Sequence, residues 1–141
     1  MQLFISHAKK DVGLARKLAE RLSKQGLKVW NADDQILPGE NWAKKIGKAL
    51  DDSELMAILV TPGAMESDWL RQEIEFALGS KRYAGRVFPV FVGRASDADR
   101  EMPWILKKLA YCRVESAKDF DEVAKNIKAQ LASLDVSPSN A

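Results

Sequence analysis

Strand-forming runs and amphipathic helical periods alternate along nearly the whole of this 141-residue chain, and that alternation leaves few folds open to it. Gln2–Ser6 reads as a short buried strand. Asp11–Gln25 follows as a helix, with Val12, Ala15, Leu18, Ala19 and Leu22 on one face and Gly26 as its C-cap. Leu27–Trp30 is a second strand, and Asn31 to Pro38-Gly39 is a polar connection. Glu40–Asp51 is a helix buried through Trp42, Ile46, Ala49 and Leu50. A third strand spans Glu54–Thr61 and is stopped by Pro62-Gly63. Ser67 has the chemistry to cap the helix that follows. Arg86–Val92 gives a fourth strand, in which Pro89 predicts a position near an edge or a bulge. Gly93–Met102 reads as loop, Pro103–Leu109 as a short helix, Tyr111–Val114 as a fifth strand and Ala117–Leu134 as the last helix. Residues 135–141 have linker chemistry and read as a flexible tail. Five strands in βα alternation imply a parallel sheet covered on both faces. Right-handed crossovers then reduce the choice to one three-layer, doubly wound α/β domain over residues 1–134, most simply with strand order 2-1-3-4-5.

Charge and composition remove several functional classes. A net charge of +2 is too small to argue for nucleic acid or an anionic membrane, and the pairs Lys9-Lys10, Lys44-Lys45 and Lys107-Lys108 are scattered rather than gathered into a stripe. With one His and one Cys, the chain offers no ordinary zinc site and no internal disulfide. Cys112, inside the fifth strand, reads as a buried small hydrophobe. No apolar run approaches the roughly 20 residues of a membrane span, and the amino terminus runs straight into Leu3-Phe4-Ile5 without a charged leader. The expectation is a cytoplasmic protein.

The helix opening Ser67-Asp68-Trp69-Leu70-Arg71-Gln72-Glu73 is the most informative segment. Leu70, Ile74, Ala77 and Leu78 define its buried stripe, and Trp69, Glu73 and Phe76 form a second stripe along one edge. A carboxylate thus falls one turn from an indole at the border of core and solvent, a means of stacking a planar ligand beside a negative charge. The helix follows a strand, so its first turn belongs at the carboxyl edge of the sheet, where open α/β folds bind ligands. A solvated glutamate and a core-edge tryptophan satisfy the same pattern.

Other occupants of this architecture lack their signatures here. No Gly-x-Gly-x-x-Gly or Gly-Lys-Ser/Thr follows a strand, so phosphate cradling is unsupported. A phosphoacceptor domain needs an acidic pair after the first strand and an Asp ending the third, where this chain has Ser6-His7-Ala8 and Val60-Thr61-Pro62. No Gly-x-Ser-x-Gly elbow accompanies His7, the one histidine.

Five segments together resemble a TIR domain: Phe4-Ile5-Ser6-His7, Gly26-Leu27-Lys28-Val29-Trp30, Leu37-Pro38-Gly39-Glu40-Asn41-Trp42, Ala57-Ile58-Leu59-Val60-Thr61-Pro62 and Ser67-Asp68-Trp69-Leu70-Arg71-Gln72-Glu73. They occur in family order and spacing and cover residues 2–92 clearly, the rest weakly. The resemblance implies the flavodoxin-like arrangement that the alternation gives independently. It also implies one of two roles: a signalling adaptor that only assembles, or an enzyme cleaving the nicotinamide–ribose bond of NAD+. The enzymatic members carry a Trp followed four residues later by the catalytic Glu, matched here by Trp69 and Glu73. One carboxylate suffices for that chemistry, because nicotinamide is already cationic in NAD+ and departs neutral without an acid, unlike the alkoxide of ordinary glycosidases.

By the same resemblance His7, Ala8 and Lys9 in the loop after the first strand lie against the ligand, Lys9 near the pyrophosphate. Trp30 and Asn31 end the second strand, where the family often keeps an Asp near the ribose; Ala32 aligns there and Asp33 stands one place later. Ser67 is a helix cap first and a ligand contact second, and Trp42 is expected in the core. The implied enzyme needs no metal or cofactor, NAD+ being its substrate, and it self-associates through the 31–42 connection. The product is ADP-ribose or a cyclic variant, in immune or antiphage signalling. A non-catalytic TIR adaptor and a nucleoside deoxyribosyltransferase-like enzyme are the competing readings.

Overall fold

The computed structural model describes residues 2–31, 39–93, 109 and 112–135, without the side chains of Trp42, Leu134 and Asp135. Its strands are β1 (Gln2–Ser6), β2 (Lys28–Trp30), β3 (Leu55–Val60), β4 (Val87–Val92) and β5 (Cys112–Val114). The helices are α1 (Val12–Lys24), α2 (Trp42–Asp52), α3 (Asp68–Leu78) and α4 (Phe120–Asp135). The strands form one parallel sheet in the order β2-β1-β3-β4-β5, as the alternation predicts. The expected loop and short helix at 93–109 fall almost wholly outside the described residues, as does the tail beyond 135. α4 runs through Asp135, one residue past the expected helix end at Leu134.

Side-chain alternation along each strand builds two cores, one on each face of the sheet. Leu3 and Ile5 of β1, with Leu55, Ala57 and Leu59 of β3, pack against α1 and α4. Phe4 of β1, with Met56, Ile58 and Val60 of β3, packs against α2 and α3. All six residues of β3 are buried, as are all six of β4, so these strands read as unbroken apolar runs. Pro89 sits opposite Ile58, one residue before the Val90–Val92 stretch that pairs with β5. Its missing N–H therefore falls outside that ladder, and β4 is the next-to-last strand, close to the edge that the proline predicts.

The helix boundaries follow local chemistry. α1 ends at Lys24 with Gln25 as its C-cap, one residue before the expected Gly26; Gly26, whose φ of 85° is open to glycine at little cost, turns the chain, and the amide of Leu27 reaches back to Leu22 O at 3.2 Å, closing the helix end. α2 begins two residues later than Glu40, because Asn41 is the cap and accepts from Lys44 N at 3.1 Å. After β3, Ala64 N donates to Thr61 O across a tight turn that seats Pro62 second and Gly63, at φ 81°, third. Ser67 then caps α3 by accepting from Leu70 N at 3.3 Å.

Candidate active site

Ser6 is the last residue of β1 and shares the parity of Phe4, so its side chain points to the face covered by α2 and α3. β1 is an inner strand, paired with β2 on one side and β3 on the other, which places Ser6 at the carboxyl edge between them. On α3, Glu73 lies three residues after Leu70 and four before Ala77, both buried, so helical spacing draws it toward the sheet. The two meet: Ser6 Oγ donates to Glu73 Oε1 at 2.6 Å, a length typical of a hydroxyl donating to a carboxylate.

This geometry corrects two expectations. Glu73 is not at the border of core and solvent but buried, with 7% of its surface exposed. Trp69 and Phe76, its neighbours on the edge stripe, are the exposed ones, at 42% and 41%. Leu78, expected in the buried stripe, is also exposed, because it is the last residue of the helix and lies about a third of a turn past Ala77. Burial pushes the Glu73 carboxyl up from 4.5 to about 7, against the Ser6 hydrogen bond, which pulls it down. A buried carboxyl whose titration is moved this far by desolvation is a candidate functional group.

Around this pair the sequence candidates fall unevenly. Trp30 is half-buried and stacks on Phe4, ring centres 5.1 Å apart and planes 12° from parallel, so it lines the same face of the sheet. Asn31, at the end of β2, is buried to 2% exposure, and neither polar atom of its amide bonds a described residue; an amide so placed calls for a partner. His7 is half-buried with Nδ1 2.8 Å from Ala8 O. Ala8 is 4% exposed and packs into the core, so its backbone, not its methyl, faces the edge. Lys9 is exposed. Asp33 and the Trp42 side chain lie outside the described residues.

Two features of the edge escape sequence reading. One is Ser6, which the strand pattern absorbs as a strand end; a hydroxyl closing an otherwise apolar buried strand was the available signal. The other is a polar knot behind it. Thr61 Oγ1 donates to Asp11 Oδ2 at 2.6 Å while accepting from Lys10 Nζ at 2.6 Å, and Lys10 also reaches Asp11 at 3.2 Å. It ties the segment after β1 to the end of β3 and fixes the strand that carries Ser6. A hollow of about 640 Å³ bounded by Gly26, Leu27, Lys28, Leu55, Lys128 and Leu131 lies elsewhere. It sits at the amino ends of β2 and β3, the opposite edge from Glu73, with no carboxylate among the residues that bound it, so the carboxyl edge is the candidate site.

The family model described as TIR domain matches residues 3–131. The 2′ cyclic ADP-D-ribose synthase BtTIR of Bacteroides thetaiotaomicron is 27% identical over 89% of this chain and 44% of its own length. The NAD(+) hydrolase PdTIR of Paracoccus denitrificans is 28% identical over 90% of this chain and 43% of its own. The chain thus spans less than half the length of these curated relatives. Among solved structures, a metazoan TIR-STING receptor from C. gigas superposes with a TM-score of 0.73 at 22% identity, over 89% of this chain and 38% of that one, a likeness of fold.

Proposed function

The chain belongs to the TIR domain family, and from that premise we propose that it is an NAD+ nucleosidase with Glu73 as its catalytic residue. One observation carries the reading: at the carboxyl edge of the sheet, a carboxylate is buried, hydrogen-bonded by Ser6 and held near neutrality. A structural glutamate on a helix surface has no reason to bear that desolvation cost. The names of the relatives, an NAD(+) hydrolase and a cyclic ADP-ribose synthase, support the same substrate.

In the proposed reaction the C1′–N bond breaks with its electron pair passing to the nicotinamide ring, which leaves neutral. Glu73, ionised, stabilises the positive charge that develops on the ribose. Its low-dielectric surroundings strengthen that interaction relative to water. Asn31, whose amide bonds no described residue, would serve a ribose hydroxyl, and Trp69, one turn before Glu73 and partly exposed, would contact the nicotinamide. An oxygen nucleophile then bonds C1′ and gives up its proton. Water yields ADP-ribose; a hydroxyl of the same molecule yields the cyclic product. Self-association through the 31–42 connection belongs to the same proposal.

The test is incubation of purified protein at high concentration with NAD+ and chromatography of the products. Free nicotinamide is expected, and Glu73→Ala is expected to lose about a hundredfold or more in rate with its fold retained. Unchanged turnover by that variant would remove Glu73 from the assignment, and intact NAD+ with wild-type protein would favour an adaptor.

A further inference from the structure

Glu73 carries three rotatable side-chain bonds on a helix whose neighbouring side chains at 69, 72 and 76 are exposed, so something must hold its carboxylate in a single place. We propose that Ser6 is a positioning residue for the reaction, its hydroxyl fixing Glu73 Oε1 so that the second carboxylate oxygen is the one presented to the ribose. The inference rests on the nucleosidase reading of the site.

Three observations carry it. Ser6 is 0% exposed, so bulk water does not compete for its hydroxyl. Its backbone is anchored in an inner strand, opposite Ile58 of β3, which makes the donor rigid where the acceptor is not. The bond joins residues 67 apart in the chain at 2.6 Å, and Glu73 takes no other hydrogen bond from a described side chain. A hydroxyl that donates to a carboxylate also favours its charged form, and the charged form is the one the chemistry uses. The titratable groups on the elements packed around Glu73 are His7 after β1, Glu66 before α3, Lys81 and Arg82 after it, Asp68, Arg71 and Glu75 on α3 itself, and Lys44, Lys45, Lys48, Asp51 and Asp52 on α2. None of them contributes to its shift, for which burial and Ser6 are the two causes.

Titration of Glu73 reads the coupling without relying on activity. The side-chain carboxyl carbon is followed by NMR in glutamate-labelled protein, its resonance assigned by its absence in Glu73→Gln. In Ser6→Ala the midpoint is expected to rise above the wild-type value, and kcat/KM on NAD+ to fall roughly tenfold at pH 6.5, the size of one lost hydrogen bond to a charged group. The deficit should narrow toward pH 9 as the carboxyl ionises regardless, but should not vanish, because the placement of the carboxylate stays lost. Ser6→Thr, which keeps the hydroxyl, should return the midpoint. Should Ser6→Ala not fold, Ser6→Cys, a near-isosteric weak donor, carries the same expectations. An unmoved midpoint, or wild-type activity of Ser6→Ala at pH 9, would overturn the proposal. A midpoint that moves in a protein leaving NAD+ intact upholds the Ser6–Glu73 coupling and sinks the nucleosidase reading instead.

Discussion

Glu73 makes folding and chemistry oppose each other at one residue. Its folded carboxyl titrates at about 7 and its unfolded one near 4.5, so between those values the folded chain holds a proton that the unfolded chain has released. Stability is therefore greatest below about 4.5 on this account and declines as pH rises toward 7, by up to about 3 kcal/mol. Glu73→Gln keeps the shape and an acceptor for Ser6 but cannot ionise. Thermal melts should show it more stable than wild type at pH 8, with the advantage vanishing by pH 5; equal melting differences at both values would contradict a buried, ionising carboxylate. Activity should follow the opposite course. Because no acid is needed for the leaving group, kcat/KM should rise through a single midpoint near 7 and then level off. A bell-shaped profile with a steep alkaline limb would require a second titrating group. The sequence locates Glu73 by its spacing from Trp69, yet it cannot show that Glu73 is buried and Trp69 exposed. That inversion depends on β1 reaching beneath α3 from 67 residues away.

At the level of elements, legibility tracks how local the signal is. β3 and β4 declare themselves because both faces are covered and every residue is apolar. α1 and α3 declare themselves through Gly26 and Ser67, whose capping bonds form within a few residues. The knot of Lys10, Asp11 and Thr61 is illegible for the converse reason: its partners are some 50 residues apart and their types are common at turns and caps. Its energetics are nonetheless predictable. Thr61→Val removes the hydroxyl that donates to Asp11, a carboxylate only 6% exposed, and should cost about 1–3 kcal/mol in denaturant unfolding. Ser67→Ala, which removes a cap at the start of α3, should cost about 1 kcal/mol. The two sites lie on either side of the same turn, so the double variant tests whether knot and cap hold one unit; costs that sum would make them independent.

Considered as a whole molecule, the chain gathers Ser6, Asn31 and Glu73 at one sheet edge, and the connection that follows Asn31 leads to α2 at Trp42. The enzymatic reading attaches self-association to that connection. If a second copy completes the site, the active species is an oligomer whose population follows mass action. Turnover per chain should then rise with protein concentration until assembly saturates. Dilution over about a hundredfold, with NAD+ in excess and nicotinamide release followed from the start, measures it directly. A specific activity that falls on dilution and recovers on reconcentration is the expected result, since recovery separates dissociation from inactivation. A constant value across the range would mean that the edge of a single chain is catalytically sufficient. The neighbouring copy would then have no place in the site, whatever assemblies the protein forms.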